Sequence, residues 1–412
     1  MSDTIDVVYC FDDNLALPGA VTILSLLRSN PAGVRVHVLT DPDPKCRSLI
    51  EAIAARENGD LRVMDDAPDK QAGFDDRSDY GVASTATYRR VFLPELLPEL
   101  DRVIYIDADT VVPGDLRALW NTDLAGKAIG AARDPWMVTN EVIRGEFPDG
   151  YFNAGVMLAD LAAWREHEVT ARSLDHIARL RDNAWQAGGS ALDYRFEQTP
   201  LNYAAKGDWT EISARWNCTT LLTPRIARDL GYSEEELSRV LDDPGVVHLL
   251  AGHKPWLPGF EKASRWHRLF HSYRQEIEAG YELGELVWPG AFTNGEQAEF
   301  KRRLLALRLV QAAMRNGMER PCAVLTGLLG PEVLTVAREQ GFEIDCFITE
   351  YSALVGHEVM GLPVMGMAEA FASGRRQVIL CDYRRLERSR AVVEEEAAMQ
   401  GVEPEILDIT MT

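Results

Sequence analysis

The stretch LDRVIYIDADTVVPGDL, residues 100–116, decides the fold of the chain. Its apolar run from Val103 to Ile106 is typical of a buried strand, and the run ends at Asp107 and Asp109. Residues two apart in an extended backbone point to the same side, so these two carboxylates can share one divalent cation. Oxygen ligands suit Mg²⁺ or Mn²⁺, which in turn bind phosphate oxygens. The triplet alone is more often a cap on a turn, so the metal interpretation depends on its surroundings.

The chain around this stretch alternates between strand and helix patterns. Strands are predicted over 5–11, 34–40 and 61–65, helices over 16–29 and 46–59, and mostly helix over 85–100. A strand followed by a helix is predicted over 151–166, and a strand followed by a loop over 246–259. This alternation predicts a parallel sheet with covered faces, whose strands all end at one ligand-binding edge.

A second α/β pattern begins near residue 301. It comprises a helix over 301–317, a strand, glycine turn and helix over 322–341, and strands over 344–350, 362–366 and 377–383. We therefore predict two domains, 1–290 and 300–412, joined near 288–295. Gly327 and Gly330 precede the helix, but they favour a tight turn over a phosphate loop. The second domain could position an acceptor, bind a regulator or support a homo-oligomer.

Composition excludes several classes of partner. The chain has 412 residues, with 43 Lys and Arg against 64 Asp and Glu, a net charge of −21. This charge argues against nucleic acid and anionic membranes as main partners. No apolar run approaches the ~18 residues of a membrane span, and the start MSDTIDVVYCFDD has no signal-peptide core. Six cysteines without CxxC spacing predict buried thiols, and we expect a cytoplasmic location.

Two further polar clusters accompany the aspartate pair. Asp12 and Asn14 follow the first predicted strand, at the same predicted edge. The loop HLLAGHKPW, residues 248–256, contains His248 and Lys254. A neutral imidazole is a suitable third ligand beside two carboxylates, and a lysine can neutralise a diphosphate. The alternative for His248 alone is an ordinary buried histidine.

Five stretches together resemble the retaining glycosyltransferases of family 8, across roughly residues 4–260. They are VVYCFDDN (7–14), ATYRRVFLPELLPELDRVIYIDADTVV (86–112), YFNAGVML (151–158), EQTPLN (197–202) and HLLAGHKPW (248–256). The resemblance implies the GT-A nucleotide-diphospho-sugar transferase fold, a Rossmann-like mixed sheet flanked by helices. It also implies a nucleotide-sugar donor, usually UDP-linked, and Mn²⁺ or Mg²⁺.

The resemblance also implies a role for individual residues. It assigns the metal to Asp107, Asp109 and His248. It assigns the donor to Asp12 at the uracil, Asn14 at the nucleoside, Arg90, Ala108, Ala154, Gly155, Gly252, and Lys254 at the diphosphate. It assigns the reacting sugar to Asn153, Arg90 and Gln198, with Gln198 next to the anomeric carbon.

Each of these residues also has a structural interpretation. Asp12 and Asn14 could cap a helix, and Arg90 could pair with a surface carboxylate. Asn153 could satisfy a turn, and Gln198 could be an ordinary polar side chain. Only the joint order of the motifs favours the site.

Three departures from the family pattern affect what the resemblance implies. Leu15 stands where many relatives have a tyrosine that stacks on the base, which leaves the identity of the base open. Thr199 stands where the family's DQD has its second carboxylate. Ala251 stands where relatives have a glycine beside the diphosphate, so its Cβ could crowd the phosphates.

The predicted function is therefore a metal-dependent, retaining hexosyltransferase that acts on an unknown acceptor hydroxyl. We favour front-face attack by the acceptor, because the amide of Gln198 is a poor nucleophile. The alternative is a catalytically silent nucleotide-sugar sensor or scaffold, which the three departures suggest. A sugar nucleotidyltransferase is disfavoured, because the loop FDDNLALPG after the first strand is acidic and unsuited to a triphosphate.

Overall fold

The computed structural model describes residues 4–31, 33–40, 44–64, 85–135, 141–186, 198–220, 222, 224–250, 254–257, 260, 264–286, 288–289, 295–325, 329–351, 354–381 and 386–411. The chain divides into two compact units. The first comprises Met1–Leu249 and Ser272–Pro289, and the second comprises Leu250–His271 and Gly290–Thr412. The assignment of a catalytic domain to 1–290 and of a small Rossmann-like α/β domain of unknown role to 300–412 stays a prediction.

The strands of the first unit form two sheets. They are β1 (Ile5–Cys10), β2 (Val34–Leu39), β3 (Asp60–Met64), β4 (Arg102–Ile106), β5 (Thr110–Val111), β6 (Ile129–Arg133), β7 (Phe152–Asp160), β8 (Thr210–Glu211), β9 (Cys218–Thr219) and β10 (Val247–His248). Within the described part of the chain, the main sheet has the order β3-β2-β1-β4-β7-β6-β8, and a small sheet has the order β5-β10-β9.

The main sheet is mixed. β1 to β4 pair in parallel, as the alternating pattern predicts, whereas β7 is antiparallel to both β4 and β6. The carboxyl ends of β1, β4 and β6 therefore share one edge with the start of β7. This edge carries the polar residues of the site.

The helices of the first unit include those predicted over 16–29, 46–59 and the end of 151–166, together with others. They are α1 (Ala16–Ser29), α2 (Arg47–Arg56), α3 (Leu93–Leu96), α4 (Arg117–Trp120), α5 (Glu141–Glu146), α6 (Leu161–Glu166), α7 (Val169–Gln186), α8 (Gln198–Ala205), α9 (Pro224–Asp229), α10 (Glu234–Asp242) and α11 (Arg265–Gly280), the last of which begins in the second unit. Short 3₁₀ helices cover Asp13–Leu15, Thr85–Phe92 and Ala214–Asn217. The helix predicted over 85–100 is thus largely a 3₁₀ helix.

Apolar packing holds the strands that present the site. Tyr105 of β4 and Met157 of β7 lie in one buried cluster with Trp164 of α6. Burial of a large apolar side chain contributes roughly 1.5–3 kcal/mol, so this cluster fixes β4 against β7. The position of the residues that follow β4 is determined by this packing.

The second unit contains its own α/β fold. Its elements are α12 (Gly295–Arg315), β11 (Cys322–Val324), α13 (Leu329–Glu339), β12 (Phe347–Thr349), β13 (Glu358–Val359), β14 (Leu362–Gly366), α14 (Met367–Ala372), β15 (Gln377–Ile379), α15 (Leu386–Met399) and β16 (Glu405–Leu407). The described strands form a sheet in the order β13-β14-β12-β11-β15-β16, parallel except for the pair of β13 and β14. Gly330 lies in the first turn of α13, and Gly327 lies outside the described residues.

Two further sequence predictions concern the chain as a whole. The six cysteines are all buried as thiols, as predicted. Across the described ranges, no helix combines the length and the apolar character needed to cross a lipid bilayer.

Candidate active site

Asp107 and Asp109 lie directly after β4, at the edge of the main sheet. The preceding residue, Ile106, is fully buried, whereas the two aspartate side chains are 19% and 18% exposed. The N–H of Asp107 donates to the carbonyl oxygen of Gly155 at 2.8 Å. The start of β7 therefore lies beside the first aspartate.

His248 reaches the aspartates because the small sheet pairs its strand with the residues that follow them. His248 lies opposite Thr110 of β5, and the N–H of Leu249 donates to the carbonyl oxygen of Asp109 at 3.0 Å. The imidazole Nε2 lies 3.0 Å from Asp109 Oδ1 and 3.7 Å from Asp107 Oδ2. The structure thus brings together three side chains that are distant in the sequence.

The chemistry of this cluster fits a hard divalent cation. One ligand atom from each of Asp107, Asp109 and His248 lies within 4.8 Å of the others. The Nε2 atom is buried and makes no hydrogen bond of acceptable geometry with the described residues. Two carboxylates and one neutral imidazole suit Mn²⁺ or Mg²⁺. The three residues can therefore hold the metal that the resemblance implies.

Asp107 accepts hydrogen bonds from two neighbouring side chains. Arg90 Nη2 donates to Asp107 Oδ1 at 2.7 Å, and its Nη1 donates to the carbonyl oxygen of Ala154 at 3.0 Å. The Tyr105 hydroxyl donates to Asp107 Oδ1 at 2.6 Å, and the Arg90 guanidinium lies 4.6 Å from the centre of the tyrosine ring. Burial raises the pKa of Tyr105 well above its usual value, with Arg90 opposing the shift and Asp107 adding to it. The phenol therefore stays a donor.

Arg90 itself is only 2% exposed. The alternative interpretation of Arg90 as one half of a surface ion pair is therefore wrong. A buried guanidinium that contacts a carboxylate and a carbonyl is fixed in one orientation. Its predicted contact with the donor stays a prediction.

Gly155 leaves the space in which Asp107 and His248 approach each other. A Cβ atom at this position would lie 2.1 Å from His248 Cε1 and 2.8 Å from Asp107 Oδ2. Both distances are shorter than real Cβ contacts, so any side chain would displace one of the two groups. The glycine is thus a steric requirement of the cluster.

Gln198 and Asn153 share one carboxylate partner. Asn153 Nδ2 donates to Asp134 Oδ2 at 2.9 Å, and Gln198 Nε2 donates to the same oxygen at 3.0 Å. Gln198 Oε1 accepts from the N–H of Ala154 at 3.1 Å. The structure therefore places Gln198 beside the start of β7, with both ends of its amide engaged.

Asn217 connects this group to the histidine. Its Nδ2 donates to Asn153 Oδ1 at 2.8 Å, and its Oδ1 lies 2.9 Å from His248 Nδ1. Asn217 and Asn153 are both buried. One continuous set of hydrogen bonds therefore extends from the imidazole to the amide of Gln198.

Asp12 and Asn14 follow β1 at the same edge of the sheet. Asp12 Oδ1 accepts from the N–H of Asn14 at 3.0 Å, and Oδ2 accepts from Asn14 Nδ2 at 3.0 Å. Asp12 is the N-cap of the 3₁₀ helix Asp13–Leu15, so its interpretation as a capping residue is confirmed. Its contact with the base stays a prediction, and Leu15 is half-buried.

The remaining predicted donor contacts are placed as follows. Ala108 is buried between the two aspartates, with 3% exposure. Lys254 belongs to the second unit and is buried, with Nζ 5.7 Å from the centre of the Trp256 ring. Gly252 and Ala251 lie outside the described residues. The roles of Lys254 and Gly252 at the diphosphate stay predictions.

A second group of possible ligands occurs in the second unit. Cys322, Asp345 and Cys346 bring ligand atoms within 4.8 Å, and the two sulfur atoms are 3.3 Å apart. Arg375 Nε lies 2.6 Å and Arg320 Nη2 lies 3.1 Å from the two carboxylate oxygens of Asp345. Two guanidinium groups on the only carboxylate of this group disfavour a cation.

Three residues of the site escape the sequence reasoning. Tyr105 lies two residues before Asp107, so the alternation of a strand gave a usable signal. Asp134 follows β6, at the same edge as the aspartate pair, but a single aspartate after a strand is a weak signal. Asn217 gave no signal in the sequence, because it is the pairing of β9 with β10 that places it beside His248.

Comparison with known proteins agrees with this geometry. The sequence profile described as Glycosyl transferase family 8 matches residues 6–258, more than half of the chain. This chain belongs to glycosyltransferase family 8. The family predicted from the motifs is therefore confirmed, and membership of this family supports a transferase activity.

Curated relatives carry related names. General stress protein A of Bacillus subtilis (strain 168) is 25% identical to this family 8 chain over 261 residues, 61% of this chain and 86% of that protein. Glycosyltransferase GlyF of Streptococcus pneumoniae serotype 4 is 28% identical over 270 residues, 65% of this chain and 61% of GlyF. The match with GlyF thus spans less than two thirds of GlyF.

A solved structure shows the same fold. The galactosyltransferase LgtC, in complex with donor and acceptor sugar analogues, has a TM-score of 0.55 at 26% identity, and the match covers 66% of this chain and 96% of LgtC. The predicted GT-A fold is confirmed, together with an additional C-terminal α/β sheet.

Proposed function

We propose that this family 8 protein is a retaining hexosyltransferase that uses a UDP-linked hexose as donor, an acceptor hydroxyl and Mn²⁺ or Mg²⁺. The observation that carries the proposal is the convergence of Asp107, Asp109 and His248 at the edge of the main sheet. The likeness to LgtC, crystallised with donor and acceptor sugar analogues, supports a sugar donor and a sugar acceptor.

The proposed chemistry is electrostatic at the leaving group. When bound, a divalent cation supplies positive charge beside the departing diphosphate. Asp107, Asp109 and His248 would hold it. Arg90 orients Asp107 through a 2.7 Å hydrogen bond and would face the same end of the donor. A preorganised site of this kind needs no proton donor for the leaving group.

Gln198 is proposed to orient the reacting sugar. Its amide is fixed by the N–H of Ala154 at 3.1 Å and by Asp134 at 3.0 Å, which supports a positioning role. An amide oxygen carries no full charge, so it is a poor nucleophile for a double displacement. We therefore favour attack by the acceptor hydroxyl on the face that the diphosphate leaves, with the hydroxyl proton passing to the departing phosphate oxygen.

A donor screen tests this function. UDP-glucose, UDP-galactose, UDP-N-acetylglucosamine and GDP-mannose are incubated with the full chain, with Mn²⁺ or with a chelator, and the released nucleotide diphosphate is measured. We expect release from a UDP-hexose only with the metal. Asp109→Asn should lower this rate at least roughly 100-fold. Asp101→Asn, at the other end of β4 with a side chain that is 90% exposed, is the matched control and should leave it unchanged.

Separate measurements test the stereochemistry of the transfer and the alternative function. The anomeric configuration of the product, determined by NMR, should match that of the donor. A trapped glycosyl adduct on Gln198 or Asp134 would contradict the front-face route. Donor binding without hydrolysis or transfer, across a broad panel of acceptors, would instead favour the silent nucleotide-sugar binder.

A further inference from the structure

The orientation of the buried amide groups near His248 follows from backbone donors. The N–H of Gly155 can only donate, and it lies 2.9 Å from Asn153 Oδ1. This fixes the carbonyl end of the Asn153 amide. The other end, Nδ2, donates to the carboxylate of Asp134 at 2.9 Å, which agrees with the same orientation.

The orientation of Asn217 follows from that of Asn153. The group of Asn217 that lies 2.8 Å from Asn153 Oδ1 faces an acceptor, so it must be the NH₂ end. The carbonyl oxygen of Asn217 therefore points at His248 Nδ1, 2.9 Å away. An amide oxygen only accepts, so Nδ1 must carry a hydrogen.

The tautomer of His248 decides which ring atom is available for a metal. With the hydrogen on Nδ1, the lone pair of the neutral ring lies on Nε2, the atom 3.0 Å from Asp109 Oδ1. Metal-binding histidines commonly donate their other ring N–H to an oxygen, which fixes the ring and its tautomer. Both Asn217 and His248 are buried, at 3% and 2% exposure, so water competes poorly for this bond.

We propose that Asn217 is a positioning residue that holds His248 in the tautomer whose Nε2 can bind the divalent cation. This inference rests on the metal site of the proposed function and adds a residue that acts through the imidazole of His248. The inference concerns the hydrogen bond that His248 Nδ1 donates to Asn217 Oδ1. Variants at position 217 that keep this acceptor oxygen should therefore differ from variants that lose it.

The first test reads the tautomer without metal and without substrate. The full chain is labelled with ¹⁵N-histidine, and its ring nitrogens are observed by NMR in alkaline, metal-free buffer. The chain has eight histidines, and the signal of His248 is identified by its loss in His248→Gln. Without metal the nearby Asp109 carboxylate favours a hydrogen on Nε2 and Asn217 favours one on Nδ1, so we expect a larger share of the Nδ1–H form in the wild type than in Asn217→Leu.

The second test measures binding of Mn²⁺ alone, from the electron paramagnetic resonance signal of the free ion. Asn217→Leu should weaken binding by about 10–100-fold, the usual effect of losing such a partner. Asn217→Asp keeps an oxygen that accepts from Nδ1 but loses the donor to Asn153 Oδ1, so it should bind Mn²⁺ more weakly than the wild type and clearly more tightly than Asn217→Leu. A merely structural role would weaken both variants alike.

A buried asparagine elsewhere in the first unit is the matched control. Asn30 is 6% exposed, and its amide bonds to the backbone of Leu26, Gly114 and Leu116. Asn30→Leu should lower stability yet leave both the His248 tautomer and the Mn²⁺ affinity unchanged. If Asn217→Leu does not fold, Asn217→Ala, which adds no bulk, takes its place in both tests.

The outcomes separate this inference from the proposed function. An unchanged tautomer or unchanged Mn²⁺ affinity in the acceptor-free variant overturns the role of Asn217, even if the wild type transfers sugar. A loss of affinity in Asn217→Asp equal to that in Asn217→Leu overturns it as well. A wild type that binds no Mn²⁺ contradicts the metal site itself, whereas the NMR test still reports on the bond between Asn217 and His248.

Discussion

The N–H of Asp107 donates to the carbonyl oxygen of Gly155 at 2.8 Å, so the residue after β4 and a residue near the start of β7 are locked side by side. This bond places the Cα of Gly155 beneath the cluster, where only a hydrogen fits between Asp107 and His248. The sheet therefore sets both the position of the aspartate and the need for a glycine opposite it.

The glycine gives the first prediction. Gly155→Ala should reduce Mn²⁺ affinity at least about tenfold, because its Cβ would displace the imidazole or the carboxylate. The overpacking should also cost about 1–3 kcal/mol of unfolding free energy. Paramagnetic resonance and urea unfolding measure the two effects. Gly145→Ala, in the helix α5, is the control: its added Cβ meets nothing within 4 Å, so it should leave Mn²⁺ affinity unchanged and should not lower stability.

Arg90 gives the second prediction. Its guanidinium donates to the Asp107 carboxylate and to the carbonyl oxygen of Ala154 and lies over the Tyr105 ring, a set that an ammonium group cannot reproduce. Arg90→Lys should lower the free energy of unfolding by about 1–3 kcal/mol and raise the KM for the donor. Urea unfolding and donor saturation curves measure this. Arg239 forms an exposed ion pair with Glu235, so Arg239→Lys should leave the free energy of unfolding nearly unchanged. If Arg90→Lys has an equally small effect, the contacts of Arg90 do not hold it in one orientation.

Tyr105 gives the third prediction, which concerns pH. Tyr105→Phe removes the donor to Asp107 but keeps the ring, so it should cost about 0.5–1.5 kcal/mol at neutral pH. Burial raises the pKa of Tyr105 above the value of about 10 that it has when unfolded. The unfolded state therefore loses the phenol proton first, and stability falls as the pH rises above about 10.

The measurement is urea unfolding of both proteins from neutral pH to strongly alkaline pH. The advantage of the wild type over Tyr105→Phe should be constant up to about pH 10 and shrink above it. A difference that grows with pH would show that the phenol ionises more readily in the folded protein.

Much of the first unit could be predicted from the sequence. Its parallel strands β1 to β4 and the helix α1 are continuous and strongly patterned; the bounds of α1 are as predicted, and no strand end differs from its predicted position by more than one residue. A strand was predicted at the start of 246–259, where β10 lies, but the pairing of the small sheet could not be predicted, because β5 and β9 are pairs of residues without a period to detect. This sheet places His248 beside Asp107 and Asp109. In the sequence, only the order of the motifs indicated that these three residues lie together.

The hydrogen bonds inside the site were likewise beyond sequence reasoning. Gln198 and Asn153 were assigned by resemblance, but their common partner Asp134 is brought to them by β6 and β7. The role of Asn217 depends on the pairing of β9 with β10. Residue type and spacing predict which groups reach the edge of a sheet, whereas amide orientation depends on tertiary contacts.

Thr199, the departure from the family's DQD pattern, gives the last prediction. It is 3% exposed, and its hydroxyl lies 2.7 Å from the hydroxyl of Tyr151, so it is part of the interior of the first unit. Thr199→Asp would bury a charge beside a phenol and should cost at least about 2 kcal/mol of unfolding free energy. It should not raise the rate of nucleotide diphosphate release, because the position does not present its side chain to solvent.

Thr199→Ser keeps the hydroxyl and is the matched control, with stability and release close to those of the wild type. Urea unfolding and the donor screen measure both variants. If Thr199→Asp instead folds normally and releases nucleotide diphosphate faster, the position serves the donor after all. The threonine would then mark a weakened catalyst, and the silent nucleotide-sugar binder would become the better description of the wild-type chain.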